Sequence, residues 1–310
     1  MLYELLSNHR DIAIVGMCKN AGKTTVLNAL LKELFKRGER VAISSIGHDG
    51  ERVDLVTQTP KPPIFVEEGT LIATAEGLLG RCDCTKEIVD TTNISTPLGR
   101  VIIFNARTSG FVEIAGASMT ADLPSLSKRL HRLGADRVII DGAVFRKSTA
   151  GFGISDAVIL STGASYSADA ELTASDTAHI VRLLSLKGYG GRAREISGSL
   201  SDEVKSNPNV RNFYIRGALT CSMLLPVLKS SLSRPLRLII RDGSCALISR
   251  DTMKKCDRMG IELRVRHESR LLFVSINPYS AYGEHQSGAR LKKLLEERIN
   301  VPVIDVAEVR

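Results

Sequence analysis

Apolar positions in this chain follow two patterns. Short runs such as "DIAIVG" (11–16), "RVAISSIG" (40–47), "ADRVIID" (135–141) and "DAVILSTG" (156–163) are apolar almost throughout. Such runs predict parallel strands buried on both faces. In "KTTVLNALLKELFKRG" (23–38), Val26, Leu27, Leu30, Leu31, Leu34 and Phe35 recur at helical spacing, and Gly38 ends the run. "DLPSLSKRLHRLG" (122–134), with Asp122 as its cap, and "ELTASDTAHIVRLLSLKG" (171–188) also read as helices. Strand, helix and strand in succession form the crossover unit of a doubly wound sheet.

The stretch between is less regular. "TPKPPIFVEEG" (59–69) is broken by prolines, and "GTLIATAEGLLG" (69–80) reads as a helix. "GRVIIFNA" (99–106) and "GFVEIAGA" (110–117) read as two strands of a hairpin joined by "RTS", with Glu113 as a strand residue. From Lys187 to Asn209 the chain is polar and rich in Gly and Ser, which marks a boundary near residue 200. A second α/β run follows. Its strand candidates are "NFYIRGA", "LRLIIRDG", "LRVRHE", "LLFVSI" and "PVIDVA"; its helix candidates are "SMLLPVLKSSL" and "GARLKKLLEERI". The expected fold class is α/β, with a mainly parallel sheet in a first domain over 1–190 and a smaller α/β domain over 205–310.

Composition narrows the partners. The 310 residues are 43% hydrophobic and 25% charged, which is ordinary for a soluble globular protein. The net charge is +8, but the basic residues are scattered. Aromatics are 5% and Trp is absent, so stacking platforms are scarce and nucleic acid is not the expected partner. There is no apolar run long enough to span a membrane. "MLYELLSNHR" reads as an amphipathic lead-in rather than a signal segment. The six cysteines are then expected to be reduced thiols in a cytoplasmic protein.

The chemistry concentrates in "VGMCKNAGKTT" (15–25), between the first strand and the first long helix. A phosphate-binding loop needs converging backbone N–H groups, a helix start whose dipole favours an anion, and a lysine and hydroxyl that reach phosphate and Mg²⁺. Gly16, Lys19, Asn20, Ala21 and Gly22 would form the cradle. Lys23 would reach the β/γ-phosphates, Thr24 would ligate Mg²⁺, and Thr25 would bond a phosphate oxygen. Gly16 and Gly22 enclose five residues where the usual loop has four.

That longer spacing resembles dethiobiotin synthetase and its relatives, a P-loop group that also holds cobyrinic acid amide synthetases, nitrogenase iron protein and MinD. "DRVIIDGA" (136–143) is similar to the strand that ends in an acidic residue before Gly-Ala in that group, which implies a Mg²⁺-interacting role for Asp141. "SIGHDGE" (45–51) follows the second strand; the resemblance implies that Asp49 stands near the metal and the attacked phosphate. Asp49 is equally good turn chemistry, and Asp141 could cap a strand end. Lys19 is not at the position of the MinD lysine, which leaves it the neutralisation of phosphate. No Asn-Lys-x-Asp guanine motif is present, so ATP is the expected nucleotide.

The layout from "DIAIVGMCKNAGKTTVLNALLKEL" through "SIGHDGERVD", "EEGTLIATAE" and "VIIDGAVFRKS" resembles the small P-loop subunit of the proposed reactivating factor for lysine 5,6-aminomutase. This implies an ATPase partner subunit, an aminomutase client and replacement of damaged cobalamin by adenosylcobalamin. The alternative is an ATP-dependent synthetase of the dethiobiotin or cobyrinic acid type. Elsewhere, Cys82-Asp-Cys84 lacks a second ligand pair, and Cys18 in the loop is expected to have a lowered thiol pKa or to act as a small filler.

Overall fold

A computed structural model describes residues 2–46, 48–49, 63–118, 120–144, 155–230, 234–280, 283 and 285–305. In chain order, α1 (Leu2–Leu6), β1 (Asp11–Gly16), α2 (Lys23–Lys36) and β2 (Val41–Ser45) come first. The short β3 (His48–Asp49) and β4 (Ile64–Val66) precede β5 (Leu71–Ala75), β6 (Lys86–Thr96) and β7 (Gly99–Ala106). Then come β8 (Gly110–Val112), β9 (Ile114–Ala115), α3 (Leu123–Arg132), β10 (Arg137–Val144), β11 (Ala157–Gly163) and α4 (Ala170–Leu184). The later part holds β12 (Arg194–Glu195), α5 (Leu200–Ser206), β13 (Asn212–Tyr214), β14 (Leu219–Thr220), α6 (Cys221–Lys229), β15 (Leu236–Ile240) and β16 (Ala246–Leu247). It ends with α7 (Arg250–Arg258), β17 (Ile261–Val265), β18 (Arg270–Asn277), α8 (Gly288–Glu296) and β19 (Val303–Asp305).

The protein is a mixed α/β structure with a large, mainly parallel sheet. Its nine strands run β19-β18-β11-β1-β10-β2-β5-β7-β6. The central β1 is parallel to both β10 and β11, and β10 to β2. Both faces of β1 are covered, so Ile12, Ile14 and Val15 are all 0% exposed, as their unbroken apolar run requires. Helix α2 presses Leu27, Leu30 and Leu34 into the same core. Buried Arg137 accounts for its own charge. It pairs with Glu39 and donates to the carbonyls of Leu6 and His9, which ties the end of α1 to β10.

The chain divides into two compact units. One comprises Met1–Phe145, Ile154–Thr177 and Leu271–Arg310; the other Arg146–Gly153 and Ala178–Arg270. This corrects the expected C-terminal domain over 205–310, because β18 and β19 belong to the nine-stranded sheet. The physical reason is burial on both faces: Leu271–Ile276 is a continuous buried run, whereas β17 alternates buried and half-buried residues.

Local expectations are revised too. "GTLIATAEGLLG" is not a helix. Leu71–Ala75 forms β5, fully buried between β2 and β7, and a 3-10 turn follows over Glu76–Arg81. Two-sided pairing outweighs the helix propensity of its Ala and Leu. The "RTS" hairpin does not form either: β7 pairs with β6 and β5, while β8 pairs with β4. The hairpin turn is instead at Thr96–Gly99, where Gly99 takes φ +102. Glu113 falls between β8 and β9 and binds Arg81 at 3.2 Å. Asp122 stands before α3 but makes no side-chain capping bond. The polar stretch 187–209 contains β12 and α5.

Candidate functional site

The loop Met17–Gly22 leaves the middle of the sheet and opens directly into α2. Met17 N–H donates to the Ser161 carbonyl at 2.9 Å, which anchors the loop to β11. Two loop residues adopt left-handed backbone: Asn20 at φ +60 and Gly22 at φ +96. Asn is among the few side chains that tolerate this region, and Gly tolerates it without strain. Gly22 has a second constraint, since a Cβ there would lie 3.0 Å from Asn277 Cβ. The turned backbone is therefore built from the residues that can make it.

The N-terminus of α2 has the properties of an anion site. No side chain caps it, and no acidic residue lies in its first turn. Orphan N–H groups and the positive end of the helix dipole therefore face the loop. Lys23 folds back across the loop start: a Cβ on Gly16 would lie 3.3 Å from Lys23 Cγ and Cδ. Gly16 thus provides the space that the lysine stem occupies. Ala21 is buried, Lys19 exposed, and Thr24 and Thr25 half-buried in the first turn. The eight residues singled out from the sequence run from the end of β1 through the loop into the first turn of α2.

Asp141 stands on β10, 1% exposed, in register with Ile14 of β1 and Ser45 of β2. Just beyond it the β1–β10 register shifts, with Ile14 opposite Asp141 and Gly16 opposite Val144. The glycine after Asp141 is sterically required. A Cβ on Gly142 would lie 2.7 Å from the Ile14 carbonyl oxygen. A buried carboxylate one strand from the loop start fits a divalent-cation role beside phosphate.

The backbone of Asp49 pairs with Ile114 in the two-residue β3–β9 ladder. Ser45 links that ladder to the end of β2. Its hydroxyl donates to the Ile114 carbonyl at 3.3 Å and accepts from Gly116 N–H at 3.0 Å. The backbone of Asp49 is thus linked through Ile114 to Ser45 at the end of β2; its side chain lies outside the described residues, as do residues 50–62.

Asn277 lies in "INPYSAYGEH" (276–285), a stretch with the look of a binding loop after a strand but no ligand assigned from sequence. It ends β18 against Gly22, and its carbonyl accepts from Ala164 N–H at 3.0 Å. "SINP", a strand end followed by proline, was the available signal. Of the two readings of Cys18, the direction of its pKa favours the small loop filler over the acidic thiol. Burial pushes its thiol up to about 11, and nearby Lys23 only partly opposes this. Burial likewise raises Cys82 and Cys84, both buried. Among the described residues no three His, Cys, Asp or Glu side chains gather as a metal cluster. At Cys221 burial is outweighed by hydrogen bonds donated by the Thr252 hydroxyl and Ser249 N–H and one shared with the Ser249 hydroxyl, which hold the thiol below its ordinary value.

No protein-family model matches this chain, and no curated protein matches it. No helix among the described residues is long and apolar enough to cross a membrane.

Proposed function

We propose that the protein binds Mg·ATP at the Met17–Thr25 loop and hydrolyses it slowly, using the nucleotide state to act on a protein partner. The observation that carries this reading is the uncapped start of α2, with Lys23 laid over Gly16. Lys23 would neutralise the β/γ-phosphates, and the N–H groups of Lys19–Gly22 would hold the phosphate oxygens. Thr24 and Asp141 would hold Mg²⁺ through oxygen, and Asp49 would orient the attacking water. The metal would supply charge neutralisation across the transferred phosphate.

The family resemblance supplies the client: a lysine 5,6-aminomutase whose inactivated cobalamin is exchanged for adenosylcobalamin, together with an ATPase partner subunit. Adenosylcobalamin would then be the client's cofactor.

The test has two stages. Isothermal titration should show Mg·ATP binding that Lys23→Ala abolishes and Asp141→Asn leaves detectable but less dependent on Mg²⁺. Reactivation of inactivated aminomutase should then need ATP, fresh adenosylcobalamin and an intact Lys23. Unchanged affinity in a folded Lys23→Ala protein would remove the nucleotide assignment. Rapid turnover triggered by a biotin or corrin precursor would give the site to a synthetase instead.

A further inference from the structure

The second unit contains a four-stranded sheet in the order β12-β13-β15-β17, parallel throughout. Parallel sheets are normally covered on both faces. This one is fully covered on one face and only partly on the other, where Ile239 of β15 is 0% exposed beneath half-buried polar and aromatic neighbours. Phe213, Leu236, Leu238, Ile261, Leu263 and Val265 are buried on one side. The residues that alternate with them on β13 and β17 are half-buried and polar or aromatic: Asn212, Tyr214, Glu262 and Arg264. Arg237 sits between Asn212 and Glu262 in register, so the three share the second face.

That face is built from arginine and tyrosine. The Arg237 guanidinium lies 5.0 Å from the Tyr189 ring, and that of Arg266 5.4 Å from the Tyr214 ring. Glu262 is shared, accepting from Arg237 Nε and Arg264 Nε at 2.6 Å each. One carboxylate thus serves two guanidiniums whose side chains are 36% and 28% exposed. Arg216, whose side chain is 84% exposed, follows β13 and pairs with Glu195 at 3.6 Å. From Ala178 to Arg270 eighteen Lys and Arg stand against eight Asp and Glu. This surplus of ten exceeds the +8 of the whole chain, so the basic excess belongs to this unit.

We propose that the arginine- and tyrosine-lined face of this sheet docks a partner protein through a carboxylate-bearing surface. Charge selects an anionic partner, and composition selects a protein. Tyr and Arg are the residues enriched at protein interfaces and their energetic centres, while Lys is depleted there. The cations named on this face are all Arg, whose planar fork matches carboxylates in two-point bonds. The Tyr rings carry guanidiniums rather than standing as open platforms for bases. Glu262 occupies, in the free protein, the position that a partner's carboxylate would compete for.

The test uses the full chain without nucleotide, so its outcome is independent of the phosphate loop. The probes are a labelled peptide of alternating Glu and Gly, a single-stranded oligothymidylate of equal charge, and phosphatidylglycerol vesicles. Anisotropy and vesicle sedimentation should show the peptide bound more tightly than either competitor, and less tightly as salt rises. Arg237→Gln with Arg264→Gln should weaken peptide binding by roughly tenfold, in line with a lost charged contact. Arg216→Gln, on an exposed side chain that folding does not need, should weaken it by roughly threefold. Glu262→Gln should tighten it, because two guanidiniums are released; a merely structural cluster would not gain. Lys229→Gln, Lys254→Gln and Lys255→Gln together remove charge outside the face and should leave affinity within about twofold. The assignment is overturned if the lysine variant loses as much as the arginine variants, or if Glu262→Gln fails to tighten binding. It is also overturned if oligothymidylate or vesicles bind best, or if sedimentation shows a second copy of the chain on this face.

Discussion

Cys18 and Lys23 show how burial and charge divide a residue's chemistry. A thiol near a helix start is commonly acidic, yet Cys18 is pushed up to about 11 because desolvation outweighs the lysine. Cys256, 0% exposed in α7, is raised from 9.0 to about 11 chiefly by burial, with Asp257 adding to it. The folded protein therefore keeps a proton that the unfolded chain loses. Stability from this group is complete below pH 9 and is lost as pH rises toward 11. The slope is at most about 1.4 kcal/mol per pH unit. Urea unfolding across that window should show Cys256→Ala losing less stability with pH than the parent. Equal slopes would mean that the thiol does not titrate differently on folding.

At the scale of elements, the β1–β10 pair carries the candidate site, and Gly142 is a point of close approach within it. The Ile14 carbonyl leaves no room for a Cβ there. Gly142→Ala should therefore force the strands apart around Asp141. We expect a loss of about 1–3 kcal/mol in urea unfolding, together with weaker Mg²⁺ dependence of nucleotide binding. A protein as stable as the parent would show that the strand pair yields without cost. The same elements explain what was legible in advance. The strand, loop and helix over 11–36 carry their own signals: a continuous apolar run, small turn residues and a regular apolar stripe. β6 carried none of these, because Lys86–Thr96 is mostly exposed on an outer strand and its polar residues alternate weakly.

For the whole molecule, the return of Leu271–Arg310 to the first unit is decisive. Phe273 is 1% exposed within that unit's core. Asn277 braces both Gly22 and Ala164. A chain ending at residue 270 would lack β18, α8 and β19 and bare the flank of β11. We expect it to aggregate or to lose its cooperative unfolding transition, and a piece over 205–310 to fail to fold alone. Solubility with a sharp transition in either piece would show that the last strands are dispensable.

Local patterns in the sequence were sufficient for the α/β class, the buried strands around β1, the amphipathic α2 and the turn-forming loop that joins them over Gly16–Thr25. Each depends on residues adjacent along the chain, so periodicity and turn chemistry report them. The helix misread over 69–80, the hairpin partner of β7, the true home of β18 and β19, the place of Asn277 and the raised thiol of Cys18 depended on tertiary structure. Each is decided by a neighbour distant in sequence: β2 and β7 flanking Leu71–Ala75, Gly22 meeting Asn277, and the packing that desolvates Cys18. Pairing and burial are properties of the assembled sheet, and local composition carries them only where a strand is covered on both faces.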